Sequence, residues 1–94
     1  MPADGGRSLS GLSARIRVFN EERDWGRYHS PKNLAMALMV EAAELAEHFQ
    51  WMTPEESRAL DAERRAAVAE EAGDVLIYLS NLCDKLGIDL LEAA

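Results

Sequence analysis

Ninety-four residues, 48% of them hydrophobic and 29% charged, are enough for one small globular domain. A net charge of −7 argues against a nucleic-acid partner, because such proteins concentrate Lys and Arg on their binding face. No apolar run approaches the roughly 20 residues of a membrane-spanning helix, so no membrane partner is expected either.

The opening Met1-Pro2-Ala3-Asp4-Gly5-Gly6 has no apolar signal core. It reads as part of a disordered tail over residues 1–8, before a single helical domain over residues 9–94 of a cytoplasmic protein. A domain of this size buries only about two-thirds of its unfolded surface and is commonly supplemented by disulfides, metal or self-association. The single cysteine, Cys83, has no partner within the chain, and Leu79, Leu82 and Leu86 around it mark it as a small core residue. Metal and self-association remain.

The first helix is expected over about residues 10–24, where Leu9, Leu12, Ile16 and Phe19 recur at helical spacing. After a loop through Trp25-Gly26-Arg27-Tyr28-His29, a second helix opens with Ser30 as N-cap and Pro31 in the first helical position, and runs to about residue 52. Thr53-Pro54-Glu55-Glu56 is a capping-box sequence opening a short third helix. A fourth helix is expected over about residues 61–86, stopped by Gly87. Asp89 then caps the opening turn of a further element over residues 88–94. The pattern predicts an all-α fold, a small helical bundle completed by oligomerisation.

The second and fourth helices each carry acids beside an apolar stripe. Residues three, four and seven apart share a helix face. On the second helix Leu34, Leu38, Leu45, Phe49 and Met52 form the stripe, with Glu41 in or beside it and Glu44 at its edge. On the fourth, Val68, Val75, Leu79, Leu82 and Leu86 form the stripe, with Glu71 at its edge and Asp74 three residues on. A single such pair is ordinarily a solvated flank of a core. Here the pattern occurs twice, and Val40, Ala43 and Trp51 bracket the first pair with apolar surface. Antiparallel packing through the two stripes would bring the four carboxylates together, where they must take up protons or share a cation. All-oxygen ligands favour Mg²⁺ or Mn²⁺ over Zn²⁺. A di-iron centre would need Glu-x-x-His, and neither helix has that spacing. Mg²⁺ held this way usually serves phosphate chemistry, with a remaining carboxylate orienting or deprotonating water.

These residues resemble a known family. Asp24-Trp25, then Tyr28-His29-Ser30-Pro31-Lys32-Asn33-Leu34, then Glu41 with Glu44-Leu45-Ala46-Glu47-His48-Phe49-Gln50-Trp51, then Glu70-Glu71 with Asp74-Val75-Leu76-Ile77-Tyr78-Leu79 resemble the MazG-like pyrophosphohydrolases, and within them the dCTP pyrophosphatase branch. The likeness runs over about residues 19–93. It implies a Mg²⁺-dependent enzyme converting a nucleoside triphosphate and water to the monophosphate and pyrophosphate, active in cleansing the nucleotide pool. Glu41, Glu44, Glu71 and Asp74 would be its metal ligands and catalytic groups. Trp25 and Trp51 would line the base pocket, and Tyr78 would face the nucleotide. The family also implies a homodimer or a tetramer built as a dimer of dimers.

Two departures stand out. Val40 precedes Glu41 where the wider family often has a second glutamate, a feature the dCTP branch shares. The family also continues past the equivalent of Leu90-Leu91-Glu92-Ala93 into a segment with Lys, Asn and Arg-Tyr-Pro that supplies phosphate contacts, whereas this sequence ends at Ala94.

Taken without the resemblance, both tryptophans read as core or interface aromatics. Lys32 and Arg27 are cations near a helix N-terminus, suited to phosphate or simply to solvent. His29 and His48 read as capping or surface residues, and His29 also stands as a candidate beside the substrate loop. Asn81 and Lys85 extend the row of Glu71, Asp74 and Tyr78, either toward phosphate or as a solvated or inter-subunit row. The competing function is a non-catalytic helical module that binds nucleotide or regulates a partner.

Overall fold

A computed structural model of the chain describes residues 8–22 and 30–94. They form helices α1 (Leu9–Glu22), α2 (Pro31–Glu47), α3 (Pro54–Ser57), α4 (Ala62–Leu86) and α5 (Leu90–Ala93), with no strand among the described residues. The fold is all-α, as the periodicity predicts. Among the described residues no helix is long and apolar enough to cross a membrane.

The expected caps form as hydrogen bonds. Ser30 Oγ accepts from the Asn33 amide at 3.1 Å, and Pro31 follows it. Thr53 Oγ1 accepts from the Glu56 amide at 3.2 Å while Glu56 Oε1 accepts from the Thr53 amide at 3.0 Å, closing the capping box. The Thr53 amide, with the Thr53 hydroxyl beside it, holds the Glu56 carboxyl below its ordinary pKa. Asp61 and Asp89 cap α4 and α5 through the amides of Arg64 and Glu92. At the far end of α4, Gly87 takes φ 66°, and the Ile88 and Gly87 amides return to the carbonyls of Cys83 and Asp84. This Schellman motif needs a residue without Cβ strain at positive φ.

α2 is shorter than the sequence predicts. It ends at Glu47 and not near residue 52, because the chain tightens to three-residue bonds, Phe49 amide to Ala46 carbonyl at 3.0 Å and Met52 amide to Phe49 carbonyl at 2.9 Å. Thr53 must be extended ahead of Pro54, at ψ 162°, so the helix cannot continue into the capping box.

α4 is the axis of the molecule. α2 runs antiparallel along it, Glu41 facing Glu71 and Arg64 Nη1 donating to the His48 carbonyl at 3.3 Å. α1 is also antiparallel to α4, since Arg17 meets Asp84 and Asn20 meets Asn81. The stripes face inward: Leu38, Leu45, Phe49, Met52, Val68, Val75, Leu79 and Leu82 are half-buried, and Leu34 is 2% exposed. Leu86 departs from its expected place at 51% exposed. Cys83 is buried, in agreement with its core assignment, whereas Leu76 and Ile77 are exposed. Leu34 and Cys83 are the only hydrophobic residues classed as buried among those described.

Candidate metal centre

Mid-helix residues supply the acidic groups. Antiparallel α2 and α4 bring the middle turns of both helices alongside each other, and Glu41, Glu44 and Glu71 each present a carboxylate oxygen within 4.8 Å of the other two. Glu41 and Glu71 are half-buried. Glu71 Oε2 is sealed from solvent and has no hydrogen-bond partner. Ionised carboxylates only accept, so two acids side by side leave such an oxygen without a donor.

The electrostatics follow from that crowding. Burial is the main cause pushing the Glu71 carboxyl up to about 7. The proton it then carries can be donated to Glu41, and the charges of Glu44 and Glu41 push in the same direction. An orphaned acceptor amid like charges suits a bound cation. The donor set, oxygen alone, suits a hard divalent ion.

Asp74 does not join this group of three. It lies one turn along α4 from Glu71 and lines a cavity of about 520 Å³ between α1 and α4. Tyr78 lines the same cavity, so the row from Glu71 through Asp74 to Tyr78 leads from the carboxylates into an open space. Leu12, Ile16 and Phe19 of α1 form the opposite wall. Sequence reasoning assigned these α1 residues only to packing. Asn20 also lines the cavity and was not singled out, although it continues the Leu12–Ile16 row at four-residue spacing, where an apolar residue is expected.

The other candidates fall elsewhere. Trp51 stands on the turn after α2 with 89% of its surface exposed, and Val40 and Ala43 are exposed as well. Lys32 is exposed in the first turn of α2. Asn81 is buried against Asn20 and is not part of a solvated row, whereas Lys85 is exposed. Trp25, Arg27, Tyr28 and His29 lie outside the described residues.

Known proteins are similar to this chain in sequence and fold. dCTP pyrophosphatase 1 of Bos taurus is 47% identical over 77 residues, which cover 80% of this chain and 46% of the bovine protein. dCTP pyrophosphatase 1 of Homo sapiens is 47% identical over 74 residues, covering 77% of this chain and 44% of the human protein. This chain therefore spans less than half the length of these curated relatives. The crystal structure of a pyrophosphatase from Archaeoglobus fulgidus is similar at a TM-score of 0.84 and 43% identity, covering 90% of this chain and 80% of that one. The MazG-like family model matches residues 36–93, a span that takes in Glu41, Glu44, Glu71 and Asp74 on their two antiparallel helices, and the chain belongs to that family.

Proposed function

We propose that this protein is a Mg²⁺-dependent nucleoside triphosphate pyrophosphohydrolase that acts on a pyrimidine nucleotide of the dCTP type and serves to cleanse the nucleotide pool. The observation carrying this reading is the convergence of Glu41, Glu44 and Glu71 around a buried, unpartnered carboxylate oxygen, one helical turn from a cavity. That cavity is within the about 300–1,000 Å³ of ordinary small-molecule sites. Similarity to the dCTP pyrophosphatases supports the substrate class.

Glu41, Glu44 and Glu71 would hold Mg²⁺, or Mn²⁺ in its place, with Asp74 as the ligand nearest the cavity. When bound, the cation neutralises charge on the triphosphate and on the departing pyrophosphate. A carboxylate oxygen left over in the cluster accepts a hydrogen bond from water and orients it toward the α-phosphate, so that the monophosphate and pyrophosphate are the products. Asp74 and Tyr78 turn the nucleoside into the cavity, where Leu12, Ile16 and Phe19 exclude water from one face of the base. Trp51 and, from the segment before α2, Trp25 and His29 would complete the base site, and Lys32 offers a charge to phosphate at a helix N-terminus.

The active form is a homodimer or a tetramer. With so few hydrophobic residues buried, and with Met36, Met39 and Val40 exposed on α2 and Leu76 and Ile77 on α4, a second copy is the simplest cover. Sedimentation at micromolar concentration tests this, and an active monomer refutes it.

The central test is incubation with dCTP and Mg²⁺. The expected products are dCMP and pyrophosphate, and release of orthophosphate instead would overturn the reading. Glu44→Gln should keep its helical circular dichroism and lose turnover, because it removes one of the charges that would hold the cation.

A further inference from the structure

The polar floor of the α1–α4 cavity has no place in the hydrolytic step. Asn20 and Asn81 are each only 6% exposed, and Asn20 Nδ2 donates to Asn81 Oδ1 at 2.7 Å. Both residues line the cavity that Asp74 and Tyr78 also line. We infer that this amide pair reads the hydrogen-bonding edge of the bound base, making Asn20 and Asn81 specificity-determining residues for a 4-aminopyrimidine. The inference rests on the nucleotide-hydrolysis reading above and adds how the base is recognised.

Hydrogen-bond capacity is the first argument. The mutual bond uses one N–H of Asn20 and one oxygen of Asn81. Asn20 Oδ1 and the two Nδ2 protons of Asn81 make no other bond among the described residues. They are also not sealed off, since only Glu71 Oε2 and Ser80 Oγ are buried without a partner there. With each residue more than nine-tenths buried and on the cavity wall, an acceptor and a donor remain to be matched at the edge of an open cavity.

Economy is the second argument. If the pair served only to pin α1 to α4, two apolar side chains of the same shape would do it with little loss, because hydrogen bonds between buried groups contribute modestly to net stability. Asn20 occupies the position where the Leu12–Ile16 row of α1 calls for an apolar residue. Buried amides fix specificity when a partner completes them and are costly when none does. Cytosine offers that partner: its 4-amino group donates to Asn20 Oδ1, and its ring N3 accepts from Asn81 Nδ2. The mutual bond holds the two amides in the order this edge requires.

The test compares dCTP with the deoxynucleoside triphosphate of pyrimidin-2-one, which lacks only the 4-amino group. The wild-type protein should prefer dCTP in kcat/KM by on the order of 10- to 100-fold, the range for a hydrogen bond left unmade in a buried site. In Asn20→Leu/Asn81→Leu that ratio should fall toward one. If the double variant instead slows both substrates by the same factor, the pair is only a clasp between helices and the inference is wrong. If the double variant does not fold, Asn20→Leu alone removes the acceptor for the 4-amino group, and the same ratio decides. Calorimetric binding of dCMP against pyrimidin-2-one deoxyribonucleoside monophosphate gives a readout free of turnover. Base preference in binding without hydrolysis would sink the enzyme reading and leave this one standing, whereas hydrolysis without base preference would do the reverse.

Discussion

The two seams along α4 use polar groups in opposite ways. Between α2 and α4, Leu34 is sealed in the interior and three carboxylates face one another with no ion pair to them among the described residues. Between α1 and α4, charge and amide are both matched: Arg17 Nε donates to both Asp84 oxygens, at 3.1 and 3.3 Å, and Asn20 pairs with Asn81. The first seam holds the sealed position and is electrostatically incomplete. The second is paired, yet it leaves space, the cavity at Asp74 and another of about 340 Å³ near Cys83. Unbalanced charge persists only where surrounding packing holds the groups in place, and room for a ligand opens where helices meet through a few polar clasps. A catalytic cation and an organic substrate make those separate demands, and α4 serves both from neighbouring faces.

The contrast can be broken first at its packing. Leu34→Ala should destabilise the fold by about 2–5 kcal/mol, measured by chemical denaturation, because it opens a cavity at the sealed position. Leu12→Ala, on the wall of an existing cavity, should cost clearly less. Equal losses would mean that the two seams are packed alike.

Acidity sharpens the comparison next. Glu71 has its pKa raised to about 7, so the folded state binds a proton there that the unfolded state has released. The stability this contributes is complete below the ordinary glutamate pKa of about 4.3 and is lost as pH rises through about 7. Metal-free protein should therefore unfold at lower denaturant at pH 7.5 than at pH 5.5. Glu71→Gln should flatten that difference and also abolish the rise in melting temperature that Mg²⁺ or Mn²⁺ produces by mass action. A Glu71→Gln protein with the wild-type pH profile would show that the α2–α4 acids are ordinary solvated groups.

The smallest effect is expected at the Arg17–Asp84 clasp, and with the opposite sign. Hydrogen bonding to Arg17 holds Asp84 below the ordinary carboxylate range, so its contribution is present at neutral pH and lost only as pH falls through that lowered value. Arg17 is half exposed, so solvent screens the pair, and Asp84→Asn should lower the melting temperature by no more than a few degrees, less still in high salt. A large loss would show that α1 depends on charge more than on its apolar row.

Much of the secondary structure was legible in local chemistry. Ser30-Pro31, Thr53-Pro54-Glu55-Glu56, Asp61, Gly87 and Asp89 mark helix ends because caps form between residues three apart, whatever the tertiary setting. Helical spacing likewise placed Glu41, Glu44, Glu71 and Asp74 beside the core-facing stripes. The end of α2 was not legible, since its last turn could tighten or continue with the same apolar residues, and the extended Thr53 decided it. Which acids converge was not legible either. Spacing assigns a residue to a helix face, but the relative rotation of two packed helices determines which side chains meet. That rotation gathered Glu41, Glu44 and Glu71 and turned Asp74 toward α1. It also paired Asn20 with Asn81, residues 61 positions apart, which no local rule connects. The sequence by itself determined the helices, all their ends but that of α2, and the acidic faces. Tertiary packing alone decided the partners, because contact across a seam depends on how two whole helices settle against each other.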